Sequence, residues 1–513
     1  MSVIVIGSGV AGSIVAEELL AANKGPVIML EAGPDITMSD RANWLQYVTT
    51  RQAPYMNCYD NEEDFESTGI DTWNIKGGRV IGRGGSTLHW GGWVPRFRPE
   101  DFNLFTNTGK GLDWPFSYDE LEPYYCQAEE YLGVAGDSND KYPVRSKSYP
   151  FEAASYPLMM RPIIESLKEL GMSYSHMPVS RYGLSANRTP CMTTGTCKYC
   201  PIGARYTGDQ SINDLLNKKE FSLILNAPAT RILLSSKSQA LGVEYLDTTR
   251  CKHKIIEADY IFICAGALET PKLLLNSKDY WSHGIGNDND LVGRYLMASP
   301  YFYAAGNIRQ NPDMLEAELG FPTLCSHEFD TPGYQTKGKF FFNADYAKPH
   351  LNIASLMAEG KSIDEIKEIA VGPTRYSLQG TMAATPFYDN RVTPGNSATR
   401  FGLPISHIDT LSPLYDKEQS KIYLNSMENI LKNMGCTDVY SGSYPQRGDH
   451  AMGTCRMAVN EANGVVDSNL KIFGMDNVYI MGHATFPSMG AVNPTLTLVA
   501  STLKAMKKFI AKE

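Results

Sequence analysis

The chain has 513 residues, 43% hydrophobic and 20% charged, with 47 basic against 56 acidic side chains and a formal net charge of −9. Such a composition excludes a disordered chain, ten cysteines in this length exclude a disulfide scaffold, and the acidic balance argues against a nucleic-acid binder. No stretch reaches the ~18 consecutive apolar residues of a membrane helix, and Met1–Ile6 is too short and uncharged for a secretory signal. The default address is therefore the cytoplasm, with periplasmic co-export beside a signal-bearing partner as the alternative. Val3-Ile-Val-Ile6 predicts a strand buried on both faces. Gly7-Ser-Gly9-Val-Ala-Gly12 follows, then an apolar–polar stretch from Ser13 to Ala22 that suits a helix. Asn23-Lys-Gly25-Pro26 breaks it, and Val27–Leu30 makes a second strand ending at Glu31. This is a βαβ unit with glycines at its first turn.

Those glycines have separable tasks. Gly7 permits the tight bend, Gly9 lets the backbone approach a pyrophosphate, and Gly12 lets helix and strand pack closely. The phosphates would sit at a helix N-terminus, where the dipole favours anions. Glu31 would accept hydrogen bonds from a ribose diol. The competing reading is a tight turn without ligand, and the motif does not separate NAD from FAD.

Further on, a glycine-rich tract spans Gly77–Gly92, and Trp93–Asn187 is loop-rich with a helical stretch at Tyr118–Leu132. Two α/β patterns follow at Ser222–Tyr245 and Ala258–Asn276. Residues 300–440 are richer in Pro, Gly and aromatics, and the aromatic run Phe340–Phe342 with Tyr334 is expected to shape a substrate site. From Asn493 onward, Leu496, Val499, Leu503, Met506 and Ile510 recur at helical spacing. Asn493-Pro494 reads as an N-cap followed by proline at the first helical position. An amide that caps its own helix is less free to bind a substrate, so Asn493 has two competing roles. His450 lies in the glycine-punctuated Gly448-Asp-His450-Ala-Met-Gly453, where an imidazole could take a proton from a hydroxyl.

The cysteines of Cys191-Met-Thr-Thr-Gly-Thr-Cys197-Lys-Tyr-Cys200 stand close in sequence. Three local thiolates suit a [3Fe–4S] cluster, or a cubane completed from elsewhere; zinc with a fourth donor and plain buried thiols are the alternatives.

Taken together, the N-terminal motif, the Gly77–Gly92 tract, Gly266-Ala-Leu-Glu-Thr-Pro271, Val292-Gly-Arg-Tyr-Leu-Met297, Asp389-Asn-Arg-Val-Thr393, Phe401-Gly-Leu-Pro404 and the segments around His450 and Asn493 resemble the glucose–methanol–choline (GMC) oxidoreductases. The matches run in order from residue 3 to residue 508. The resemblance implies an α/β fold (α+β overall). A Rossmann-like FAD-binding domain would be assembled from residues 1–92, 202–300 and 441–513. Residues 93–201 would form a loop-rich region carrying the cysteines, and 301–440 an inserted substrate domain with an antiparallel sheet.

The resemblance also implies FAD and hydride transfer from a carbinol carbon, with His450 as general base and Asn493 as its partner on the substrate oxygen. Gly7, Gly9, Gly12 and Glu31 fall on ADP-binding positions, and Ala229 on the strand beside the adenine. Arg83, Gly84, Gly85, His89, Trp90, Gly482, Pro494 and Thr495 fall on flavin-binding positions. Gly482 stands where many members carry Asp. His89 is either joined covalently to the flavin, as in a similar segment of pyranose 2-oxidase, or packed over its ring. The helix after Asn493 would point a partial positive charge at the flavin edge that becomes negative on reduction.

Within the family, Asn493-Pro-Thr-Leu-Thr497 and Gly482-His-Ala-Thr-Phe-Pro487 look like the branch of pyranose oxidase and of the gluconate, fructose and glucoside 3-dehydrogenase catalytic subunits. Some of those subunits carry an iron–sulfur cluster on a similar cysteine loop, which favours a dehydrogenase acting on a sugar or glycoside and an electron-transfer partner. The rivals are a peroxide-forming oxidase like pyranose 2-oxidase, a flavin-containing lyase, and an inactive flavin-binding subunit.

Overall fold

The computed structural model describes residues 1–36, 65–71, 73–140, 143–181, 189–193, 197, 200, 202–309, 320–347, 353–370, 372–399 and 402–513. Phe401 and the cysteine-loop positions 194–196, 198–199 and 201 lie outside them.

Four apolar residues at Val3–Ile6 are all buried, which is what a strand flanked on both faces requires. They form the centre of a parallel sheet in the spatial order 478–480, 260–263, 3–6, 27–30 and 221–224. Segments distant in sequence therefore build one sheet. The helix Val10–Ala21 begins inside the glycine motif, earlier than the expected Ser13, and carries Gly9 at its N-cap. The stretch Ser222–Tyr245 departs from its expected α/β character. Beyond Phe221–Ile224 it makes strands Ala229–Leu234 and Ala240–Asp247, which join Lys252–Glu257 in an antiparallel sheet. The register Val243↔Ile232 puts apolar residues opposite each other, so cross-strand packing outweighs any helical spacing there.

A six-stranded antiparallel sheet runs in the order 437–443, 301–308, 374–382, 340–347, 324–329 and 175–176. Its first and last strands come from outside the 301–440 core of that region or from its margin. Phe340 and Phe342 point to the helix side with Tyr423 and Met427, while Phe341 joins the main core. All three are at most 1% exposed. The aromatic run thus builds the core, and Tyr334 packs edge-on against Phe329.

A buried ionic cluster joins this sheet to the N-terminal region. Lys339 Nζ lies 2.7 Å from Asp101 and 3.0 Å from Asp330, which also takes Arg98 at 3.0 Å. Desolvating these charges is costly, and their mutual hydrogen bonds offset it. Ser488 Oγ donates to the Asp101 carbonyl at 2.8 Å, so the cluster also anchors the loop leading to Asn493.

A half-buried carboxyl, Glu17, lies on the first helix itself. Burial pushes the Glu17 carboxyl up to about 7, although Tyr131 donates to it at 2.7 Å. The native state thus holds a proton that the unfolded chain gives up near pH 4.5. Stability is lost as pH rises from about 4.5 to 7, and the loss is then constant. Glu17→Gln is expected to be more stable than wild type at pH 8, by on the order of 1–3 kcal/mol, and equal to it near pH 4.5. Thermal unfolding at the two pH values checks this.

Candidate active site

At the end of strand Val3–Ile6 the chain turns into its first helix without a side-chain cap, leaving first-turn N–H groups for a ligand. A Cβ on Gly7 would overlap the carbonyl of Cys264, and one on Gly12 would overlap the carbonyl of Gly7. At Gly9 a Cβ would meet no atom within 4 Å. Gly9 therefore borders open space, and that space belongs to a cavity of about 610 Å³. Uncapped helix, glycine cradle and cavity together suit the pyrophosphate of a dinucleotide. Glu31 Oε2 accepts from Ser8 N–H at 3.1 Å and Ser8 Oγ at 2.6 Å, and Oε1 accepts from Gly33 N–H. The acid shapes the phosphate loop as well as facing the cavity.

His450 reaches the same cavity from a short turn, Gly448–His450. Its Nε2 lies 3.3 Å from Asn493 Nδ2 and its Nδ1 lies 2.9 Å from Ser299 Oγ. An amide NH₂ can only donate, so Nε2 carries the lone pair. Nδ1 then holds the proton and donates it to Ser299. Burial pushes the imidazole below its ordinary value of 6.5, with Arg447 acting the same way and Asp449 opposing. A neutral ring whose Nε2 lone pair is held only by the Asn493 amide can act as a general base toward a hydroxyl that enters between the two.

Asn493 is not the helix cap. The helix spans Thr495–Lys512 with Pro494 at its N-cap, and the Asn493 amide is directed to His450. Leu496, Val499, Leu503 and Met506 are buried along that helix.

The structure brings Gly7, Gly9, Glu31, Gly85, His89, Trp90, Ala229, Gly482, Thr495, His450, Asn493 and Cys197 onto one cavity wall. His89 is 6% exposed, and Trp90 directs its indole N–H to the Tyr206 carbonyl at 2.8 Å. Gly12 and Pro494 stand behind the wall. So does Gly84, whose N–H donates to Ser8 Oγ. Arg83 turns away to pair with Asp35 at 2.9 Å.

The cysteine expectation is corrected. Among the described residues no three His, Cys, Asp or Glu side chains are placed to hold a metal ion, the triplet Cys191, Cys197 and Cys200 included. Burial pushes the Cys197 thiol up to about 11, with Cys191 and Cys200 adding to the shift. An iron–sulfur cluster is not supported, and the preference for a dehydrogenase that leaned on it loses that support.

Sequence reasoning missed Ser299, Tyr301, Gln379 and His483. The last three line the cavity, and His483 is pushed down to about 3, chiefly by burial, so it stays neutral. Ser299 and Tyr301 are two apart where the chain enters strand Tyr301–Ile308, and both side chains reach His450. That spacing was the available signal, but nothing in it marked the face toward His450.

Among the described residues no helix is long and apolar enough to cross a membrane. A family model described as GMC oxidoreductase matches residues 1–300, and a second model of the same description matches residues 386–502. The fructose dehydrogenase large subunit of Gluconobacter japonicus is 28% identical, over 98% of this chain and 96% of its own. The 6'''-hydroxyparomomycin C oxidase of Streptomyces lividus is 27% identical, over 98% and 90%. A solved formate oxidase superposes with a TM-score of 0.66 at 16% identity, covering 100% of this chain and 98% of the other, which speaks for the fold.

Proposed function

The chain belongs to the GMC oxidoreductase family, and on that premise we propose that it is an FAD-dependent dehydrogenase oxidising a secondary alcohol of a sugar or glycoside. When bound, FAD supplies the hydride acceptor. The observation that carries the reading is the His450–Asn493 pair on a cavity that also reaches the Gly7–Ala11 phosphate cradle. A substrate hydroxyl entering between the two side chains would give its proton to Nε2 and accept a hydrogen bond from the Asn493 amide.

The substrate class follows from the wall around that pair. Gln379, Arg447 and Asp449 line it, and Arg447 is held by Asp449 at 3.0 Å, so the wall is polar but close to neutral. That suits a ligand rich in hydroxyls and poor in charge. The fructose dehydrogenase relative, matched along nearly its whole length, supports transfer of electrons to an acceptor other than dioxygen, including a partner protein. The oxidase relative supports the rival reading. Turnover of a sugar panel in air separates them. Reduction of an added quinone or dye with little peroxide is expected; stoichiometric peroxide would make the protein an oxidase.

Ser299 accepts the Nδ1 proton and so supports the tautomer that the Asn493 amide selects. Ser299→Ala would leave the Nδ1–H unpaired in a buried site and free the ring to change tautomer. We expect turnover to fall about tenfold, roughly the loss of one buried hydrogen bond, with flavin content unchanged. Ser299→Thr should keep most of the rate in the same assay.

A further inference from the structure

Tyr301 is the first residue of strand Tyr301–Ile308, two positions after Ser299, and both hydroxyls reach His450. The Tyr301 hydroxyl lies 3.0 Å from Nδ1 and 3.1 Å from Nε2. An oxygen that close to both nitrogens cannot lie in the ring plane without striking the carbon between them. It therefore sits over the imidazole face. The in-plane directions are already used, by Ser299 at Nδ1 and Asn493 at Nε2. The phenol proton consequently has no aligned lone pair on the ring to bind and remains available to a ligand oxygen at the base.

The position is held firmly. Tyr301 is paired in register with Thr381 on the next strand, and the Thr381 hydroxyl donates to the Ala491 carbonyl, two residues before Asn493. One sheet thus sets both the phenol and the amide loop. Arg447 lies 5.4 Å from the centre of the Tyr301 ring, and the ring faces the cavity. Burial raises the phenol well above its ordinary range, with Asp449 adding to this and Arg447 opposing, so the group stays a donor through the physiological range.

We propose that Tyr301 is a catalytic residue, donating its hydroxyl proton in a hydrogen bond to the substrate oxygen on which charge builds while His450 removes that oxygen's proton. This rests on the reading of the site as an alcohol oxidoreductase. As the O–H bond breaks, its proton goes to His450 Nε2. The C–H bond breaks with its electron pair leaving as hydride to the flavin, and a C=O bond forms. No other reactant is needed. Between base and carbonyl the oxygen is alkoxide-like, and two fixed donors, the Asn493 amide and the Tyr301 phenol, stabilise it where it stands.

The test is anaerobic stopped-flow reduction of the bound flavin in the wild-type, Y301F and Y301H holoenzymes, across substrate concentration and pH. Y301F is expected to reduce about 10²-fold more slowly, the effect of losing one such donor. Substrate Kd should stay within threefold, and flavin content and spectrum should be unchanged. Y301H, which keeps an N–H donor, should recover part of the rate. A Y301F enzyme as fast as wild type, or slowed only through Kd, overturns the proposal. So do equal losses in Y301F and Y301H that track a fall in Tm. If no sugar or simple alcohol reduces the wild-type flavin, the broader reading fails first and takes this one with it.

Discussion

His450→Ala is expected to lower turnover by about 10²–10⁴-fold while the protein keeps its flavin, the range lost when a positioned base is removed. The imidazole is placed to act as one because its two nitrogens are distinguished. Asn493 donates toward Nε2 and Ser299 accepts at Nδ1, so the lone pair is on Nε2, directed to an amide that shares the cavity wall. Burial lowers the imidazole's pKa, so the neutral form persists to lower pH than for a free histidine. The acid limb of the rate profile should accordingly lie below pH 6.5, and in His450→Ala that limb should vanish. Stopped-flow reduction of both proteins between pH 5 and 8 checks magnitude and sign together. Wild-type turnover in the variant would remove His450 from the chemistry.

Gly9→Val should give a protein that purifies without flavin. Gly9 has an ordinary φ of −68°, so the substitution does not strain the backbone at that residue. Nor does its Cβ meet any protein atom within 4 Å. What the valine fills is the space in front of the uncapped helix terminus, where a pyrophosphate would take its hydrogen bonds. The prediction is therefore a folded, colourless protein, and the ratio of flavin to protein absorbance with a thermal melt measures both. A Gly9→Val protein as yellow as wild type would show that the cradle does not hold the cofactor. Gly12→Val is a useful contrast, since its Cβ would collide with the Gly7 carbonyl and should damage the fold itself.

Much of this arrangement was legible because local rules and the global fold agree in the first βαβ unit. Val3–Ile6, the glycines and Val27–Leu30 each demand the same geometry, and the sheet pairs them as neighbours. The C-terminal helix was legible from its apolar spacing, yet its cap was read one residue early. Asn493 obeys the capping rule in sequence, but a long-range contact with His450, distant in the chain, decides where its amide points. The cysteine triplet misled for a related reason. Spacing permits a cluster, but whether three thiols converge depends on the path of the loop, and local spacing does not encode it. Tyr301 and Ser299 were invisible because their importance lies in facing a histidine across two segments that no periodicity connects.

The activity proposed for this protein requires that the cavity beneath the glycine cradle hold FAD with the His450 imidazole at its reactive end. The most direct measurement is the visible spectrum of the purified protein, taken without oxygen before and after addition of sugar alcohols and hexoses. Flavin bands that bleach with substrate in the wild type, and persist unbleached in His450→Ala, are the predicted result. A protein that is colourless as purified and remains so after incubation with FAD would contradict the account at its root.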